Sequence, residues 1–333
     1  MNEALRYKLV LAVLSIGVFA LFLVSLATGP AAIGFADSMR ALFSSDAYEI
    51  GLIMREIRLP RAILGLMVGA TLGLSGAVLQ GYLRNPLAEP GLLGISASAS
   101  LGAVLTIYTG VSLAFPLALP MAALAGAGIA VLVVRAMAGG AGGTLSIILA
   151  GIALSAFAGA MTSLALNLSP NPFAAMEIVF WMLGSLTDRS MVHVWLAAPF
   201  MLLGWVMLAL TARALDALTL GVSAASSLGV DLRRTQFLAV GGTAASVGAA
   251  TAVAGAIGFI GLIVPHILRP LVGSMPSRLL PASALGGAAM LLAADILVRL
   301  IAPERDLKLG VLTAMVGAPF FLWLIWRSRR TMV

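Results

Sequence analysis

The chain has 333 residues, 61% of them hydrophobic and 10% charged, with 36 glycines, no cysteine, two histidines and a formal net charge of +7. An ordinary soluble domain carries about 25% charged residues, so this composition cannot coat a water-exposed surface, and it excludes a disordered chain, a disulfide scaffold and a thiolate metal site. The basic residues are scattered between apolar runs rather than clustered, so the positive balance does not indicate nucleic acid, and the chain reads as a polytopic protein of the lipid bilayer.

A helix crossing the hydrocarbon needs about 20 largely apolar residues. The first such stretch, Leu9 to Ala36, follows Arg6 and Lys8. It is too long for the apolar core of a signal peptide and is followed by more of its kind, so it reads as an uncleaved first span. Further runs lie near 62–83, 91–109, 112–134, 145–166, 192–212, 235–257, 279–300 and 309–326. A shorter piece, about 258–268, ends at Pro265-His266 and reads as a half-length helix. The fold class is therefore all-α, with ten helical segments in a single transmembrane domain and nothing that reads as a strand. Arg6, Lys8, Arg84, Arg135, Arg213, Arg233, Arg234, Arg269 and Arg278 fall on one side and most acids on the other. The positive-inside rule then puts both termini in the cytoplasm.

Gly65, Gly69, Gly73 and Gly76 recur at helical spacing in one run. Lipid tails are as apolar as leucine, so such helices associate through the close backbone approach that small residues permit. Two glycine-rich stretches, Leu74–Gly81 leading to Asn85-Pro86 and Val253–Gly261 leading to Pro265-His266, hint at two halves with matching helix breaks.

No G-x-x-x-x-G-K-[ST] and no H-E-x-x-H occurs. The chain thus has neither a nucleotide cradle of that kind nor that metalloprotease site, and two isolated histidines make a poor metal site. One enzyme-like pattern exists, Gly73-Leu74-Ser75-Gly76, which matches the G-x-S-G of rhomboid-type intramembrane proteases with His193 or His266 as base. Such a short pattern arises easily by chance among 36 glycines, and tight packing at Ser75 is the preferred reading.

Three charged features stand out. Arg55, Arg58 and Arg61 crowd the mouth of a span on the outer side. They read either as snorkelling interfacial charges or as a basic pocket for acidic side chains of an external partner, because the guanidinium fork holds a carboxylate bidentately. Asp295 lies inside an apolar run with Arg299 four residues on. An i,i+4 pair is the local solution for such a carboxylate, and it is also the one strong candidate for an ion-gradient secondary transporter. Finally, 213–236 is a long polar interval on the inner side, with small residues and with glycines at 221 and 229. It suggests two short helices with a tight bend, offered to a soluble motor.

On these residues the chain resembles the permeases of ABC importers for cobalamin, haem and iron-siderophores, the FecCD or BtuC type. The stretches that carry the resemblance are Arg58–Arg61, Leu74–Gln80, Arg84–Gly94, Leu149–Gly151, Trp181–Leu186, Leu220–Val222 with Leu228–Val230, Gly258–His266 and Gly317–Phe320. The resemblance implies a permease subunit of a type II ABC importer in the bacterial inner membrane. It also implies a homodimer of ten-helix subunits, two copies of a separate ATPase and one periplasmic substrate-binding protein. Arg58, Arg61 and Arg299 would map onto outer docking residues, and Leu220, Gly221, Ala225, Leu228 and Gly229 onto the coupling helices. The fifth and tenth helices would line the pathway, offering Ser155, Met161 and Thr313. No catalytic residue, metal or cofactor is expected on this chain, and ATP belongs to the partner ATPase. The cargo would be a bulky metal chelate, iron-siderophore or haem, with cobalamin as the alternative.

Overall fold

In hydrocarbon the backbone must satisfy its own hydrogen bonds, so apolar runs of this length fold as helices. The computed structural model describes residues 3–29, 31, 33–43, 48–115, 117–138, 144–169, 171–302 and 307–329, and among these every regular element is helical. The main helices are α1 (Glu3–Ala27), α2 (Leu59–Tyr82), α3 (Ile95–Tyr108), α4 (Ala118–Ala138) and α5 (Thr144–Asn167). They continue with α6 (Met191–Ala209), α7 (Leu232–Ala254), α8 (Ile260–Leu268), α9 (Pro276–Ile301) and α10 (Leu309–Arg329). Seven helices among the described residues are long and apolar enough to cross a membrane; α3 and α8 are shorter apolar helices.

Side-chain bonds fix which ends lie together. Arg6 donates to the Pro270 carbonyl at 2.8 Å and Arg278 lies 3.5 Å from Glu3. The start of α1, the end of α8 and the start of α9 therefore share one end of the bundle, here the N-terminal end. At the opposite end the last turn of α1 meets the start of α2 and the close of α9.

The central helix is α2. In its most apolar window 89% of residues are buried, against 17% for α1 on the periphery. Its glycines explain this. A Cβ on Gly73 would land on the Ser283 carbonyl of α9, and one on Gly76 on the Gly261 carbonyl of α8. Gln80, 2% exposed, holds α8 from the same face: its Nε2 donates to the carbonyls of Gly261 (3.3 Å) and Leu262 (3.2 Å). Its Oε1 accepts from Arg269 at 2.8 Å.

Several expectations change. The first span ends at Ala27, not Ala36, and Phe35–Phe43 forms a separate short helix. The sequence Gly29-Pro30 is a helix stop, and the Arg58 guanidinium, beside Gly29, caps the end of α1 by donating to the Ala27 carbonyl. The run 91–109 divides into a 3₁₀ turn, Pro90–Leu93, and α3, at left-handed Gly94 (φ +72°). Gly110 (φ +72°) likewise delays α4 to Ala118. Pro172–Met182, read as a connection, is an eleven-residue helix started by Asn171, whose Oδ1 accepts from the Ala174 amide at 2.9 Å. The matching breaks of two halves are absent: α2 runs unbroken through Gly76, whereas Gly255 (φ +71°) ends α7. The two glycine-rich stretches instead pack on each other, as α2 against α8.

Candidate functional site

At the opposite end, the sequence brings three arginines to one place. Arg58 closes a π-helical turn, Ile53–Arg58, just before α2. Its Nη1 donates to the carbonyls of Leu26 (3.1 Å) and Ala27 (3.0 Å), and its Nη2 to that of Ala31 (2.7 Å). Arg299 Nη1 donates to the carbonyls of Ser25 (2.9 Å) and Thr28 (2.6 Å). These are the carbonyls that a helix C-terminus leaves without intrahelical partners, and cations there also meet the negative end of the helix dipole. Asp295, whose side chain is 2% exposed, is gripped by Arg61 Nη2 at 2.8 Å and Arg299 Nη2 at 2.7 Å. Arg61 Nε adds 2.9 Å and 3.2 Å contacts to the two carboxylate oxygens. Arg58, Arg61 and Arg299 thus form a closed knot in which Arg58 is 3% exposed and Arg61 has the largest outward edge. Arg55, the other arginine of the expected pocket, is exposed and donates to the Leu42 carbonyl at 3.2 Å. Sequence reading found the Asp295–Arg299 pair but missed Arg61, which comes from 234 residues away.

At the N-terminal end the interval 213–236 forms two short helices, Ala212–Leu218 and Val222–Ser227, before α7. Gly221 (φ +106°) makes the bend and Gly229 (φ +83°) the exit, both in backbone conformations that disfavour a Cβ. Leu215, Leu218 and Ala225 are buried and anchor the pair, while Leu220 and Leu228 stand 68% and 65% exposed. Asp216 Oδ1 accepts from the Ser277 amide at 2.9 Å, tying this segment to the first turn of α9. Asp231 starts α7 by accepting from the Arg234 amide at 3.0 Å.

Of the residues assigned to a pathway, Ser155 and Met161 are half-buried on α5. Thr313 is 2% exposed and its hydroxyl donates to the Gly310 carbonyl at 3.1 Å, so it faces into its own subunit and not onto a pathway surface. The exposed faces are carried instead by Leu149, Ile152, Phe157 and Leu164 of α5 and by Met315, Val316 and Leu322 of α10. A recess of about 400 Å³ lies beside helix Pro172–Met182 at the opposite end, lined by Phe173, Phe180, Trp181, Asp188, Arg189 and Lys308 among others. Trp181 Nε1 and Arg189 Nε are buried there without a hydrogen-bond partner. Burial pushes the Arg189 pKa below its usual value, opposed by Asp188.

Ser75 is fully buried, 3.4 Å from the Ser246 hydroxyl. His193 Nδ1 accepts from the Ser190 amide at the start of α6, and His266 stands edge-on to Phe320. Neither is placed as a base for Ser75.

A family model described as the FecCD transport family matches residues 17–327. The chain belongs to the FecCD transport family. The hemin transport system permease protein HmuU of Yersinia pestis is 38% identical over 95% of this chain and 96% of its own length. The vitamin B12 import system permease protein BtuC of Klebsiella pneumoniae is 41% identical, covering 84% of this chain and 83% of its own. A solved transporter of the metal-chelate ABC type, in an inward-facing conformation, superposes with a TM-score of 0.86 at 29% identity, covering 96% of this chain and 99% of that one. The chain is accordingly a multi-pass membrane permease of the type II ABC importer family. Membership of this family favours a permease over both the intramembrane protease and the ion-gradient transporter readings.

Proposed function

We propose that two copies of this chain form the gated channel of an ATP-driven importer that carries a bulky metal chelate, an iron-siderophore or haem, into the cytoplasm by alternating access. The observation that carries this reading is the Gly221-bent helix pair at the N-terminal end, which exposes Leu220 and Leu228 among serines and is bonded through Asp216 to α9. Uphill import needs about 1.4 kcal/mol per tenfold concentration ratio, which no group on this chain supplies. A separate ATPase gripping the exposed Leu220 and Leu228 beside Gly221 and Gly229 would supply it; Ala225, expected at this contact, is fully buried and holds the pair from beneath. Such a motor shifts the gate only through different affinities for its two states. The N-terminal end then faces the cytoplasm, and a periplasmic substrate-binding protein docks at the opposite end over the knot of Arg58, Arg61 and Arg299. The half-buried Ser155 and Met161 border the apolar faces of α5 and α10 that would enclose the pathway. A cobalamin cargo is the second reading, favoured by the 41% identity to the vitamin B12 permease.

The test is reconstitution in vesicles with and without the ATPase and the binding protein. Uptake should need both and ATP; accumulation by the chain alone would overturn the proposal. Uptake of radiolabelled haem, ferric siderophore or cobalamin through the full system then decides the cargo.

A further inference from the structure

A groove between α4 and α7 lies beside Asp231 and Arg233, where the bent helix pair passes into α7. Its volume is about 350 Å³. The floor is apolar, with Val134 and Val240 at 2% and 7% exposure, and the outer walls are Leu132 and Phe237, both more than half exposed. Arg135 and Arg233 line it, and among the described residues no acid does. The Arg135 guanidinium sits 5.7 Å above the Phe237 ring. Asp231, the nearest acid in sequence to Arg233, is turned to the Arg234 amide.

Lone arginines at a membrane boundary lift their charge to water whatever lies beside them. Here the two line a groove with an apolar floor and exposed apolar walls. A pair of guanidinium forks matches phosphate oxygens, and basic recesses between helices on the cytoplasmic side suit anionic headgroups. From this geometry we infer that the α4–α7 groove is a binding site for an anionic phospholipid, with a phosphate on Arg135 and Arg233 and an acyl chain over Val134 and Val240. A free phosphate would use the arginines and leave the slot empty, so the apolar floor assigns the site to a lipid. The bound lipid braces the first turns of α7, next to the bent helix pair. This inference rests on the proposed orientation, with the N-terminal end in the cytoplasm, and is independent of the cargo.

The experiment is native mass spectrometry of the purified full-length permease with added cardiolipin or phosphatidylcholine, with inorganic phosphate as competitor. Wild type should retain cardiolipin in preference to phosphatidylcholine. The Arg135→Gln/Arg233→Gln variant should retain it roughly thirtyfold less well, while Arg135→Lys/Arg233→Lys keeps most of the binding and shows that loss follows charge. Val240→Phe should also lose the lipid by filling the slot, with an unchanged thermal transition in detergent as the folding control. Equal retention of the two lipids, unchanged retention in the glutamine or phenylalanine variants, or full displacement by inorganic phosphate would overturn the assignment. So would a disulfide between Leu132→Cys side chains of two copies, which would put a second subunit over the groove.

Discussion

Asp295 is the charge on which the opposite end depends. It is 2% exposed and its single negative charge is shared between Arg61 and Arg299. Removing one partner of a buried ion pair costs about 3–5 kcal/mol, because the remaining charges stay desolvated. Asp295→Asn should therefore lower the thermal unfolding transition sharply, as followed by tryptophan fluorescence in detergent. Glu3→Gln makes the control: that pair with Arg278 is 3.5 Å apart with the glutamate side chain 81% exposed, and its loss should leave the transition unchanged. The Asp295–Arg299 half of this cluster was legible from the sequence because i,i+4 spacing puts both on one helix face. The Arg61 half was not, since no local period relates positions 61 and 295. Arg58 illustrates a further limit. Its sequence setting declares an interfacial arginine, but whether the guanidinium turns outward or caps a neighbouring helix depends on where α1 ends.

At the scale of elements, glycines decide how closely α2 approaches α8 and α9. Gly76→Val would drive a side chain into the Gly261 backbone, which cannot rotate away. Overpacking of this kind costs about 1–3 kcal/mol, so the variant should melt earlier and its α8 should become protease-sensitive. Gly81→Ala instead meets only the Leu215 side chain at 3.5 Å, an ordinary contact. It should be neutral or stabilise by up to about 1 kcal/mol, since alanine favours the helix. Gly221→Ala should behave differently again. Nothing lies within 4 Å of its Cβ, but φ is +106°, so the cost is backbone strain of about 1–3 kcal/mol at the bend. In the assembled importer that variant should hydrolyse ATP with reduced transport, read as the ratio of the two rates. The half-helix, the Gly221 bend and most of the long helices were readable from apolar run lengths and glycine placement, whereas the end of α1 and the starts of α3 and α4 were not. Pro172–Met182 was not, because it is too short to register as a span, although Asn171-Pro172 is a helix-start signal.

For the whole molecule, the exposed apolar faces of α5 and α10 require covering by lipid or by a second copy. The chain has no cysteine, so a single introduced thiol reports its own neighbour. Phe157→Cys on α5, at 59% exposure, should form a disulfide-linked dimer in membranes if α5 faces the pathway between copies. Leu203→Cys on α6, at 55% exposure, should not if that helix faces lipid. The reverse pattern would move the pathway to another face. Which apolar surface meets lipid and which meets protein is invisible in one sequence, since both are written in the same residues.

The 26-residue α9 has a consequence of its own. At 1.5 Å per residue it is about 39 Å long, pinned at its base to Asp216 and at its tip to Arg61 and the last turn of α1. A rod fastened at both ends has little slack. A carrier settling on one face and an engine stroke on the other would then be felt together, as a tug on a bell-rope is felt in the tower. Asp216→Ala, which cuts the rope at its base and leaves both faces intact, should let the engine run without regard to what has arrived above.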